Sequence, residues 1–469
     1  MTRTRLRWAA YLLVVGAAAS GCTQTVPGTG EYFTSSIAVA DARTEIKGLP
    51  GGKPTAVDTI AGNAVADIQQ FWTDEFPKVF NGRSYRSPQG GFYSVDPDHA
   101  ADVPCVSSPD DIRGNAFYCP SRDIVAWDRT NLLPSLRSQF GPFLVAMVLA
   151  HEWGHVVQNK SHADPKRTIV DETQADCYAG SWTRWALEGQ APHFPIQRTE
   201  LDEALSGYLL FRDPVGSSAR DQDAHGNGFD RISAFQEGFE QGPKHCTTFD
   251  NNRQFTETGF TSTEDQQRNG NLPLDDQTGS SGAAQPGAIT LGKQDLNETW
   301  PTLYRKVYGS SFRVPAVTEH RAGQATTCAG SPVDKAVLYC AQSNTVYFDR
   351  SALRTVTEKV RGSDYAPMTL IGIGYAESAA AQAGRSIDGA DGLRRAICLD
   401  GAYTRVVTDR STAPSGTGGL ILSPGDLDEA VEALLSFAGQ DAYFGARSMA
   451  GFDRVQAFRQ GFTDSRSCA

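Results

Sequence analysis

The feature that most constrains this chain is that it repeats itself. Phe117-Tyr118-Cys119 through Trp127-Asp128-Arg129 is matched by Leu338-Tyr339-Cys340 through Phe348-Asp349-Arg350. Gly228-Phe229-Asp230-Arg231 through Gly238-Phe239 is matched by Gly451-Phe452-Asp453-Arg454 through Gly461-Phe462. Chance does not produce two such runs in the same order. Cysteines repeat with them: Cys105, Cys119, Cys177 and Cys246 in one half, Cys328, Cys340, Cys398 and Cys468 in the other, at nearly equal separations. The expectation is two related, self-contained bodies. Four cysteines permit three connectivities. Near neighbours can staple a hairpin while distant ones tie two helices, which favours Cys105–Cys119 with Cys177–Cys246, and Cys328–Cys340 with Cys398–Cys468.

The ninth cysteine has a separate explanation. Arg3, Arg5 and Arg7 precede an apolar run from Trp8 to Ser20, too short for the ~20 residues of a membrane-spanning helix, so residues 1–21 read as a removable export signal. Ala19-Ser20-Gly21-Cys22 resembles a bacterial lipobox, which implies that Cys22 is lipidated and tethers the chain to the cell envelope. The anchored protein is expected on the outer face of the cytoplasmic membrane or facing the periplasm. Basic residues number 43 and acidic ones 54, for a net charge of −11, or −14 once three arginines leave with the signal. So acidic a body repels phosphate backbones, which argues against a nucleic-acid partner. Residues 22–55, rich in Thr, Gly, Pro and Ser, read as a tether. A first domain is then expected over 56–258, a linker over 259–288 and a second domain over 289–469.

Chemistry concentrates in the first half. Pro142 suits a helix start, and the run that follows is apolar on every side until His151-Glu152-Trp153-Gly154-His155. Histidines four apart stack on one helical face and can offer two imidazole nitrogens to one metal, with Glu152 beside them. Two histidines inside a buried helix are costly unless their nitrogens have partners. Catalytic zinc commonly takes three protein ligands and keeps one position for water. Glu172 is the best third candidate, because Glu172-Thr173-Gln174-Ala175-Asp176-Cys177 reads as a second helix with Glu172 and Asp176 one turn apart. Asp176 can then accept the outer N–H of a ligating imidazole. His162, Asp164 and Asp171 lie nearby but lack that helical context, and His99, His193, His245 and His320 have no motif around them.

Tyr118-Cys119-Pro120, Ala150-His151-Glu152-x-Gly154-His155-x-Val157-Gln158 and Glu172-x-Gln174-Ala175-Asp176-Cys177 together resemble the neutral zinc metallopeptidases, a gluzincin-like family. The likeness spans about residues 60–250. It implies an α+β, zincin-like fold, mainly helical with a small sheet, duplicated here in tandem. It further implies zinc as cofactor, Glu172 as third ligand, Glu152 as the base that activates water, and a peptide or protein substrate. Val156 and Trp153 depart from the family's usual residues, and Trp153 either lines the cleft or packs in the core. Ala224-His225-Gly226 resembles the family's His-Gly turn, so His225 either donates to the oxyanion or supports the turn. The weakly alternating Ile124–Trp127 run reads as a strand able to pair with an extended peptide.

The second half serves as a control. Laying Met368–Ala379 on the first-half helix puts Tyr375 at His151, Ala376 at Glu152 and Ala379 at His155, with Ser448 near His225. The region around Cys398 lacks both carboxylates. A copy that keeps cysteines and helix pattern without these groups shows that folding does not need them. It reads as a pseudo-peptidase domain that is structural, regulatory or partner-binding. The rival to a zinc endopeptidase is a non-enzymatic envelope lipoprotein with a structural metal, and hydrolysis of a cell-wall amide would use the same residues.

Overall fold

The computed structural model describes residues 40–49, 53–100, 102–163, 166–278, 282–321, 324–412, 420–436, 443 and 449–469. The expected signal, Cys22, most of the tether, Asp164 and Ser448 lie outside them. None of the described helices is long and apolar enough to cross a membrane. The chain divides into two bodies. One runs to His162 and takes in Trp185–Pro195, and the other comprises Ala163–Arg184 and Ile196–Ala469.

The first body holds β1 (Ile46–Lys47), α1 (Ala56–Val79), β2 (Gly91–Val95), β3 (Ala116–Cys119), β4 (Ile124–Asp128), α2 (Leu132–Phe140) and α3 (Pro142–Ser161). Its sheet runs β1-β2-β4-β3, with β3 alone antiparallel. All five residues of β4 are buried, which is why Ile124-Val125-Ala126-Trp127 reads as a nearly continuous apolar run. This corrects one expectation. Both edges of β4 are taken, by β2 and β3, so it has none left for a peptide, and the edge strands are β1 and β3. The Cys105–Cys119 disulfide closes the end of β3.

Helix α1 starts from a capping box in which Thr55 and Asp58 satisfy each other's exposed groups. The buried Asp58 also ties the helix to the sheet through Arg129 and Ser94. Helix α3 begins with Pro142 at its first position and ends at His162, which takes the left-handed conformation. Its residues from Phe143 to Gly154 are all buried, as the unbroken apolar pattern demands.

The second body carries α4 (Thr168–Leu187) as far as Arg184, then α5 (Arg198–Tyr208) and α6 (Gly228–Gln241). There follow α7 (Ala288–Tyr308), β5 (Ala316–His320), β6 (Val337–Cys340), β7 (Thr345–Asp349) and α8 (Arg350–Lys359). Helices α9 (Tyr365–Gln382), α10 (Gly389–Ser411), α11 (Asp426–Ser436) and α12 (Gly451–Thr463) complete it. Strands β5, β6 and β7 form one sheet in the order β6-β7-β5, again with one antiparallel pair, β6 with β7, beside two two-stranded ladders.

Two helix crossings in this body share one construction. A Cβ on Gly180 would lie 1.9 Å from the Phe235 carbonyl oxygen, and one on Gly238 would lie 1.7 Å from that of Cys177. The corresponding distances are 2.0 Å for Gly401 against Phe458 and 1.7 Å for Gly461 against Cys398. Backbones this close leave room only for hydrogen at those four positions. The Cys177–Cys246 and Cys398–Cys468 disulfides anchor α4 and α10 beside these crossings, and Cys328–Cys340 joins the end of β6 to the short two-residue strand Thr327–Cys328.

Helices α4 to α6 do not form a separate unit from the second half, as self-contained repeats would require. Phe239 packs on Phe452, with ring centres 4.6 Å apart, and Phe229 on Phe462 at 4.7 Å. Asp202 on α5 accepts hydrogen bonds from the Gly451 and Phe452 N–H groups (2.6 and 2.7 Å) that open α12. Asp428 on α11 accepts from the Phe229 N–H (2.8 Å) that opens α6. The exposed amides at each helix start are thus satisfied from the other half. The expected linker is folded as well. Leu272 N–H donates to Asp364 at 2.8 Å, and Ser423 donates to Asp265 at 2.9 Å. Most of its polar side chains face water, while Asn271 and Asp276 accept the N–H groups of Asp364 and Gly287 at the starts of α9 and α7.

Candidate metal centre

Helix α3 supplies the histidine pair. The His151 and His155 rings stand 5.0 Å apart and nearly perpendicular, as a four-residue helical spacing dictates. His155 Nδ1 lies 2.9 Å from Gln158 Oε1, an acceptor for a ring N–H, and with the proton on Nδ1 the other nitrogen, Nε2, carries the lone pair that can ligate a metal. Between the histidines, Glu152 is buried and its Oε2 accepts the main-chain N–H of Tyr118 at 3.1 Å. Asn115 O accepts from Asp128 N–H at 2.8 Å, so by alternation Ala116 and Tyr118 turn their main-chain groups away from β4.

The Tyr118 side chain ties β3 to α3 a second time. Its hydroxyl donates to Asp123 at 2.8 Å and accepts from Asn159 at 2.7 Å. Burial, then the hydrogen bond to Asp123, raises the Tyr118 phenol above its ordinary range, so it stays a donor. Lys160 meets both Asp123 oxygens at 2.6 Å. Trp153 is a core residue: it is fully buried, donates to the Tyr85 hydroxyl at 2.7 Å and packs on Phe92.

Helix α4 supplies the carboxylates. It begins at Thr168, so Glu172 sits in its second turn and Asp176 one turn further on. Asp176 accepts the Nε and one terminal N–H of Arg231 on α6, at 2.9 and 2.8 Å, and the Tyr208 hydroxyl. Burial, then the Asp176 charge, pushes the Tyr208 phenol well above its usual value, which keeps that donor protonated. With the disulfide and the glycine crossing, these bonds fix α4 against α6.

His151, His155 and Glu172 each offer one ligand atom, and these atoms all lie within 4.8 Å of one another. Two imidazoles and one carboxylate suit a zinc ion, since hard cations such as calcium prefer oxygen throughout. The residues present therefore fit the metal that the sequence implies.

His225 lies in a turn built by Asp213. One Asp213 oxygen accepts the His225 and Gly226 N–H groups at 2.8 and 2.7 Å, and the other lies 3.3 Å from His225 Nδ1. Gly226 has φ +102°, which explains the glycine. The remaining histidines have structural partners: His99 with Asp96, His193 with Asp67, His245 with Glu237, and His320 with the Lys335 carbonyl. His162 caps α3, and Asp171 pairs with Lys166 at 3.5 Å.

Sequence reasoning gave no role to Gln158, Asp213, Arg231 or Tyr208. Gln158 follows His155 at helical spacing and was findable on that ground. The other three reach their partners across 12 to 55 residues with no spacing rule.

The second-half register also needs correction. Tyr339 donates to Asn344 as Tyr118 donates to Asp123, in both cases across a hairpin. The same offset brings the last residue of α3, Ser161, onto the last of α9, Gln382. It puts Gly372, Ile373 and Ala376 opposite His151, Glu152 and His155, in place of Tyr375, Ala376 and Ala379. No metal-binding side chain stands in any of the three positions.

Among curated proteins, "Uncharacterized protein YpfJ" of Escherichia coli strain K12 is 28% identical over 210 residues, covering 39% of this chain and 69% of that one. "Uncharacterized protein Rv2575" of Mycobacterium tuberculosis strain H37Rv is 30% identical over 160 residues, covering 28% of this chain and 54% of its own length. No solved structure matches. Residues 34–249, which carry the two histidines, Glu152 and Glu172, match the model of the family described as "Putative neutral zinc metallopeptidase".

Proposed function

We propose that this chain is a zinc-dependent endopeptidase with a zincin-like catalytic half. The second half is a tandem, degenerate copy without the ligand set. The observation that carries the reading is the convergence of His151, His155 and Glu172 with Glu152 between the histidines. The reciprocal caps of Asp202 and Asp428, on α5 and α11, support the duplication.

His151, His155 and Glu172 would hold the zinc ion, which when bound would supply Lewis acidity toward a water and the scissile carbonyl. Glu152 takes the proton of the attacking water and returns it to the leaving amine. The Tyr118 N–H holds and orients one oxygen of that carboxylate. Gln158 fixes the His155 tautomer. His225, steadied by Asp213, donates to the developing oxyanion. An extended peptide adds alongside β3, where Ala116 presents its main-chain groups. In this reading residues 1–21 direct export, Cys22 carries the lipid anchor in a bacterial envelope, and the second copy is a structural or partner-binding domain.

The test compares the zinc-loaded chain with Glu152→Gln on unstructured peptide substrates. Cleavage should fall by roughly 10²–10⁴ while zinc stays bound. Equal cleavage by both, or none by the zinc-loaded wild type, would leave a metal site without this chemistry.

A further inference from the structure

A second cluster of potential metal ligands lies in the other body, with no histidine. Asp364 immediately precedes α9, while Asp426 and Glu429 lie in the first turn of α11, and one carboxylate oxygen from each lies within 4.8 Å of the others. Asp364 and Asp426 are only 6% and 5% exposed. Each carboxylate has one oxygen held. Leu272 N–H donates to Asp364 Oδ2 and Ser423 N–H to Asp426 Oδ2, both at 2.8 Å, while Ser363 Oγ and Tyr365 N–H donate to Glu429 Oε2 at 2.6 and 3.0 Å. The remaining Asp364 oxygen, Oδ1, is buried with no hydrogen-bond partner. None of the three is in an ion pair among the described residues. A fourth carboxylate, Asp265, lines the adjoining 340 Å³ cavity with Asp364, Asp426 and Ser423.

Burying like charges side by side is costly unless a proton or a cation intervenes. Burial, followed by the neighbouring acids, raises all three carboxyls, as expected of a cluster lacking its counter-charge. An orphaned buried oxygen is the added sign that a ligand is missing. Oxygens this close can share one ion, and a set made only of carboxylate oxygens suits a hard divalent cation rather than zinc.

We propose that Asp364, Asp426 and Glu429 bind one hard divalent cation, calcium in preference to zinc, fastening the 261–276 segment and α9 to α11. Because α11 also carries Asp428, the ion would steady the cap on α6. This proposal does not depend on the peptidase reading.

The test is calcium titration of the full zinc-loaded chain, followed by calorimetry and thermal melting, against Asp364→Asn and the Asp364→Asn/Asp426→Asn double variant. The wild type should bind one calcium and melt about 5 °C higher at saturation. The single variant should bind at least about tenfold more weakly, and the double variant should show no shift. Both remove repulsion, so without calcium they should melt no lower than wild type, which keeps the comparison valid. Absence of any shift in the wild type at ~10 mM calcium would overturn the proposal. So would an undiminished shift in the double variant.

Discussion

The main-chain N–H of Tyr118 donates to Glu152 across 3.1 Å, so the carboxylate between the two histidines is aimed by an edge strand of the sheet. The strand is secured in turn by the Tyr118 hydroxyl, Asp123 and Lys160. Replacing Asp123 with Ala should loosen that link while leaving every proposed ligand in place. Peptide turnover should fall about tenfold or more with zinc content unchanged, measured by steady-state kinetics beside metal analysis. Loss of zinc in that variant would show that the link serves the metal instead.

Gln158 should behave as part of the centre despite touching no metal. Gln158→Leu removes the acceptor for His155 Nδ1 and should weaken zinc about 10–100-fold, read by competition with a chelating dye. Gln158→Glu, which keeps the acceptor, should restore most of the affinity. If Leu and Glu bind zinc alike, the hydrogen bond has no bearing on the metal.

The reciprocal caps predict that damage in one half is felt in the other. Asp428→Ala strips the acceptor from the start of α6, and Asp202→Ala does the same to α12. Each should cost about 1–2 kcal/mol in denaturant unfolding. Asp428→Ala should also raise hydrogen exchange at Phe229, 199 residues away. Unchanged protection there would contradict the assignment.

Asp230 sets a pH dependence. Burial pushes its carboxyl up to about 7, against the opposing hydrogen bonds from Thr256. Because the folded value lies above the unfolded one near 4, its stabilising contribution is full below about pH 4 and lost as pH rises through about 7. Stability of wild type minus that of Asp230→Asn should therefore decline across this window. A difference that stays level with pH would show that the carboxyl titrates alike in both states.

The legible parts of the molecule were those written at short range. The four-residue spacing of His151 and His155, the apolar run that buries them and the proline that starts the helix are all local. Glu172 and Asp176 were readable as one turn of a second helix. What escaped lay at long range. Asp202 meets Gly451 across 249 residues, and nothing in either segment names the other. Polar residues at 259–288 suggest a linker, yet several spend their side chains on helix ends. The β4 run was readable as a strand, but its place at the sheet interior depends on which neighbours pair with it. The misplacement of Tyr375 against His151 came from matching small residues in an apolar helix, where many registers look alike.

The central claim is that two imidazoles of α3 and the Glu172 carboxylate hold one zinc ion. Metal analysis of the purified chain, beside His151→Ala and Glu172→Ala, tests it most directly. The account predicts about one zinc per chain in wild type and affinity lower by about 10²-fold or more in each variant. A wild-type chain that takes up no zinc, or a Glu172→Ala chain that binds it as tightly as before, would contradict it.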